Sequence, residues 1–171
     1  MMTRMINSLM NRLRTPIPTA DRILEIVAGV LVIVMFVLTA IFYEISPDSV
    51  PSHFSFTGEA NDFSDKSFYW QISGMFFLFM IINFFAAYYP DKNTVRLPIR
   101  NKNMSPRQMM LAGRMCRIIN IGLAMLWFSI LFSATTKTLG IDKAFIIIIN
   151  VTAIMTLIIP SVWYGYKMYR C

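Results

Sequence analysis

The sequence predicts an all-α integral membrane protein with four transmembrane helices, both termini on the cytoplasmic side, and a long ordered outer loop between the first two helices. Three observations carry that reading. The 171 residues are 56% hydrophobic and 15% charged with mean hydropathy +0.56, whereas ordinary soluble domains are about a quarter charged. Four apolar runs are each long enough to cross a bilayer, and Lys and Arg concentrate in alternate connecting segments. Fourteen Phe and fourteen Met add bulky apolar surface, which lipid solvates and one small soluble core cannot hide.

Residues 1–18 form an amphipathic cytoplasmic segment. In "MMTRMINSLMNRLR" the apolar positions recur every three or four residues, the stripe of an interfacial helix, and "TPIP" ends it because proline disfavours helix at the residue before it. A membrane domain, residues 19–171, follows. Its spans are expected at about 22–43, 68–89, 114–136 and 143–166, with an outer loop at 44–67 and a cytoplasmic loop at 90–113. The first span contains "ILEIVAGVLVIVMFVLTAIFY", 21 residues that at about 1.5 Å per residue cross the roughly 30 Å hydrocarbon layer. It exceeds a signal-peptide apolar region and is not followed by a small-x-small cleavage site, so a retained anchor is expected. Its early Glu25 is expected to pair locally with Arg22, three residues before it.

The second span, "FYWQISGMFFLFMIINFFAAYY", carries aromatic side chains at both ends, as interfacial belts require. The third and fourth, "IINIGLAMLWFSILFSATT" and "AFIIIINVTAIMTLIIPSVWY", carry no charge. Pro160 is expected to bend the last third of the fourth. Its β-branched run does not signal a strand, because an open sheet edge is not tolerated in lipid.

Orientation follows from Lys and Arg. Thirteen fall in residues 1–22, 90–117 and the C-terminal tail, against Lys66, Lys137 and Lys143 on the other side. The same scatter argues against nucleic acid as the partner of this chain, despite a net charge of +7 and pI near 9.7. The lipid bilayer is its first partner. A cytoplasmic helix begins at "SPRQ", where Ser105 and Gln108 make a capping box around Pro106, and continues into the third span. Arg107, Arg114 and Arg117 on this helix are read as setting topology. Within the bilayer, Asn83 and Asn120 lie toward the cytoplasmic end, and Gln71, Asn150 and Ser133 toward the outer end. Each set is expected to hold helices together by hydrogen bonds.

The outer loop is long for a bundle connection, where about 2 to 8 residues suffice. Pro47 and Pro51 stiffen it, Gly58 supplies a turn, and Phe54, Phe56 and Phe63 are expected to dock on the bundle or headgroups. A short extended segment, then a turn at "TGEAND", is the predicted shape. Five acids, Glu44, Asp48, Glu59, Asp62 and Asp65, face one Lys there. His53, the only histidine, has neither the companions of a zinc site nor a nucleophile motif. It is read as a loop anchor bonded to backbone or carboxylate. No metal, cofactor or catalytic residue is predicted, and Cys116 and Cys171 show no paired spacing.

The run "VPSHF", then Gly58, Phe63 and Lys66, resembles a bacterial membrane module of unknown function that precedes the SdpI-type immunity domain in some proteins. Pro51, His53, Phe54, Gly58, Phe63 and Lys66 carry the loop signature. Asn61 stands where Asp is commoner, and Asp62 and Ser64 where glycines are. "YPDKN" and "RQMMLAGRMCRIIN" are similar to the family's segment leading into the third span. The resemblance implies a multi-pass protein of the bacterial cytoplasmic (inner) membrane. Long members continue into the immunity domain, whereas here one further span follows the resembling stretches, so immunity is not carried over directly. The expected function is non-enzymatic: a binding, accessory, sensor or immunity-like component whose outer loop meets a peptide or membrane-protein partner. The alternative is a small transporter or channel subunit. A homo-oligomer joined through the Phe-rich second helix and a small-residue strip at Ser129 and Ser133 is also expected.

Overall fold

The structure is a computed structural model that describes residues 17–55, 59–88, 105–139 and 143–171. The predicted surface helix, Phe56, Gly58 and the "YPDKN" stretch lie outside the described residues. In chain order come α1 (Thr19–Ile45), β1 (Ser49–Phe54), β2 (Ala60–Asp65), α2 (Phe68–Tyr88), α3 (Pro106–Leu139) and α4 (Lys143–Tyr169). All four helices are long and apolar enough to cross a membrane, so the chain is a multi-pass helical membrane protein.

The third helix is the hub. Half of its apolar window (50%) is buried, against 22% for α1, 22% for α2 and 11% for α4. It packs on all three other helices and on β1, while α1 and α2 touch each other sparingly. Small residues allow this. At Gly113 a Cβ would stand 2.8 Å from the Ala87 carbonyl oxygen, closer than side chains tolerate, so α2 and α3 meet here only because Cβ is absent. At Gly122 a Cβ would meet Leu157 and, at 3.1 Å, the Thr156 carbonyl oxygen. That carbonyl is the one whose helical N–H partner Pro160 removes, and α4 continues through Pro160 with this carbonyl against α3.

The core gathers around Trp127 and Leu131 of α3, both fully buried, with Met35 and Phe42 of α1, Tyr69, Phe76 and Met80 of α2, and Val50 of β1. The Trp127 ring stacks on Phe76 at 6.3 Å and meets Phe36 edge-on at 5.2 Å. Lipid tails are as apolar as these side chains, so close packing and polar contacts hold the bundle more than exclusion from water does.

One end of the bundle joins the start of α1, the end of α2, the start of α3 and the end of α4. Tyr88 reaches Glu25, Arg114 reaches Asp21, and Gln108 reaches the Met168 carbonyl. This terminal end carries Lys167 over Trp163 and Arg170 over Tyr166, the aromatic and basic pairing of a membrane interface. The opposite end carries the hairpin. Ser129 and Ser133 are buried, which corrects the expectation that they form an exposed dimer strip. Ser133 faces α4 and accepts a bond from Asn150 at 3.0 Å.

Candidate functional site

The loop between α1 and α2 is a two-stranded antiparallel hairpin, with Ser49 opposite Asp65, Val50 opposite Ser64 and His53 opposite Asp62. Irregular register on either side of His53 twists its middle. Three contacts seat it. Val50, 1% exposed, enters the helical core. Lys66 pairs with Asp48 at 3.0 Å and lies over the Tyr43 ring at 5.1 Å, tying the strands to α1. His53 Nδ1 meets Asn61 Oδ1 across the hairpin at 2.6 Å. The histidine is thus an anchor whose partner is an amide oxygen, not the backbone or carboxylate anticipated.

The side chain that enters the helical core is Val50, which the expectation of docking phenylalanines did not include. Val50 and Pro51 are buried, Phe54 is half-buried, and Phe63 is 44% exposed. Val50, opposite Ser64, lies inward, and Phe63, opposite Pro51, belongs to the other face of the hairpin. The period of two read from "SHFSF" begins two residues too late to include Val50, which is in phase with Phe54. Glu44, Asp48, Glu59, Asp62 and Asp65 are all exposed, giving the hairpin end an acidic rim. The Asp65 carboxyl lies below its ordinary value because it accepts the Ser67 backbone N–H at 2.8 Å. Lys66 lies above its ordinary value because Asp48 accepts its hydrogen bond.

Beneath the hairpin runs a directed hydrogen-bond chain. Thr135 gives its proton to the Leu131 carbonyl, so the Tyr69 hydroxyl donates to Thr135 and Ser46 donates to Tyr69, each at 2.9 Å. One turn deeper, Trp127 Nε1 donates to Ser73, whose hydroxyl lies 2.7 Å from Thr39. Gln71, placed in the outer polar set by sequence, bonds instead to Ser67 of its own segment.

At the terminal end the structure brings together groups far apart in sequence. Arg114 Nε donates to Asp21 at 2.6 Å, and Arg117 Nε donates to Glu25 at 2.8 Å. Both pairs join α1 to α3. This corrects two expectations: Glu25 is not paired with Arg22, and these arginines do more than set topology. Tyr88 donates to the second oxygen of Glu25 at 2.9 Å, so three helices converge on one carboxylate. Arg107, on the same helix, stands apart from both pairs. Ser105 and Gln108 form reciprocal bonds, backbone N–H of each to side-chain oxygen of the other, at 2.8 and 3.2 Å. Gln108 also donates to the Met168 carbonyl, tying this cap to the end of α4.

Asn83 Nδ2 donates to the Cys116 carbonyl at 2.6 Å and to Asn120 Oδ1 at 2.9 Å. Beside this pair a cavity of about 430 Å³ opens between α1 and α2. Val32, Phe77, Met80 and Ile81 wall it, while Glu25, Arg117 and Asn120 line its polar end. The polar groups are individually visible in the sequence, but nothing in their spacing reveals the cavity. Among the described residues no three His, Cys, Asp or Glu side chains gather in a way that could hold a metal ion.

Residues 30–81 match a family described as a domain of unknown function, DUF1648. The match takes in the greater part of α1, the whole hairpin and the first two thirds of α2, and so contains every loop-signature position. The second resembling stretch, at "YPDKN" and beyond, lies outside it. No curated protein and no solved structure matches the chain.

Proposed function

We propose that this chain is a non-enzymatic binding component of the bacterial cytoplasmic membrane, with both termini inside and the hairpin outside. The excess of Lys and Arg in the terminal-side segments supports that orientation. The observation that carries the reading is the seating of the hairpin by Val50, by Lys66 on Asp48 and by His53 on Asn61. Glu59, Asp62, Asp65 and Phe63 are thereby presented on a fixed frame. A pre-ordered acidic face loses little entropy on association and steers a cationic partner toward it. The partner that fits is a basic segment of a peptide or membrane protein carrying apolar side chains. The likeness to the module preceding SdpI-type immunity domains favours a sensing or immunity-like setting.

A small transporter or channel subunit fits less well. Among the described residues, the polar group around Glu25, Asn83 and Asn120 is separated from that around Thr39, Ser73 and Tyr69 by the buried apolar side chains of Met35, Met80 and Ala124, and Asn150 bonds to Ser133 apart from both.

The test is site-specific photo-crosslinking in native membranes, with the reactive group at Phe63 or, as a lipid-facing control, at Ile159. Adducts from position 63 that vanish in Glu59→Lys/Asp62→Lys and weaken in high salt are expected. The same adducts from position 159, or indifference to charge reversal, would contradict the proposal.

A further inference from the structure

We infer that the cleft between α1 and α2 binds an ester-linked acyl chain of a membrane lipid, with its ester carbonyl accepting a hydrogen bond from the Asn120 amide. The orientation of Asn120 is set by its neighbours. The Cys116 carbonyl can only accept, so the Asn83 atom facing it is Nδ2, and the Asn120 atom that Nδ2 also meets is the oxygen Oδ1. The Asn120 NH2 therefore turns away from Asn83. Asn120 is 5% exposed, lines the cleft, and makes no other side-chain hydrogen bond among the described residues. A buried donor of this kind in lipid calls for an acceptor.

The charge at that end selects the acceptor. Arg117 is already neutralised by Glu25 at 2.8 Å, and the second Glu25 oxygen takes the Tyr88 hydroxyl. A neutral carbonyl fits beside this closed pair better than a free carboxylate, which would face Glu25 without an unpaired cation. Beyond Asn120 the walls are Val32, Phe77, Met80 and Ile81, surroundings suited to a methylene chain. The volume, about 430 Å³, lies within the roughly 300 to 1,000 Å³ of small-molecule sites. The cleft lies between membrane-crossing helices whose outer residues Ile26, Val30 and Phe85 are exposed. A lipid tail thus enters sideways from the bilayer. Gly29 leaves the wall of α1 bare, since a Cβ there would meet nothing within 4 Å.

The full chain reconstituted in nanodiscs of phosphatidylethanolamine bearing a diazirine in one acyl chain tests this. Irradiation and peptide mapping are expected to give about fivefold more label at Val32, Phe77 and Ile81 than at Ile159 and Val162, the difference that one hydrogen bond makes. Ile159 and Val162 are at least as exposed, at 62% and 67%. Gly29→Phe, which fills the open space, and Asn120→Leu, which removes the donor, are each expected to lower cleft labelling to the α4 level. Circular dichroism shows whether the helices persist, and Gly29→Phe carries the test alone if Asn120→Leu does not fold. Equal labelling of cleft and α4, or cleft labelling unchanged by Gly29→Phe, overturns the inference. Displacement of the lipid by equimolar palmitic acid overturns the ester assignment.

Discussion

Glu25 shows how one side chain organises this bundle. Its carboxylate receives Arg117 from α3 and Tyr88 from α2, and Arg117 lies with its guanidinium 5.2 Å from the Tyr88 ring centre. The side chains of Glu25 and Arg117 are 17% and 6% exposed. Removing one partner from such a buried pair leaves an uncompensated charge and costs about 3–5 kcal/mol, whereas replacing both with apolar residues is often neutral. Arg117→Leu is therefore expected to destabilise strongly, and Glu25→Leu/Arg117→Leu to recover most of the loss. Thermal unfolding in detergent of both single variants and the double variant measures the cycle, and a double-variant loss equal to the sum of the Glu25→Leu and Arg117→Leu losses would show that the pair is not coupled. None of this was legible locally. Glu25 and Arg117 are 92 positions apart, and the nearest cation in sequence, Arg22, drew the local assignment because helical spacing is the only geometry a sequence displays directly.

Among the elements, the hairpin and the start of α3 show opposite degrees of legibility. The reciprocal bonds of Ser105 and Gln108 arise within one turn, so residue type and spacing specify them. The hairpin was visible as an ordered, proline-stiffened loop with a turn, but its docking residue was not. Burial of Val50 depends on the surface that α3 presents, which the hairpin's own residues do not display. The same element has a defined pH response. Asp65 is depressed by the Ser67 N–H, so its contribution is present above the ordinary carboxylate value and disappears as pH falls through the lowered one. Lys66 is raised by Asp48, so its contribution is present below the ordinary lysine value and disappears as pH rises through the raised one. Hydrogen-exchange protection factors of the β1 and β2 amides are accordingly expected to stay level between about pH 5 and 9 and to fall at both extremes. A midpoint inside that window would contradict the role given to Asp65 and Lys66.

For the whole molecule, four apolar runs and a one-sided distribution of Lys and Arg were enough to read four membrane helices, because length and hydropathy are properties of the segments themselves. How those helices meet was not readable. The central place of α3 depends on Gly113 and Gly122 admitting neighbours, and the cleft arises because α1 and α2 are both held by α3 more than by each other. The arrangement puts the hairpin at one end and both Thr19 and Tyr169 at the other. Together with the charge bias, it underlies the proposal that the hairpin faces outward toward a partner. Labelling with a membrane-impermeant maleimide tests this most directly, using Glu59→Cys in a Cys171→Ser background beside the parent chain with its exposed Cys171. Position 59 is expected to react in intact cells, and Cys171 only after permeabilisation. Reaction of Cys171 in intact cells with position 59 protected would contradict the account.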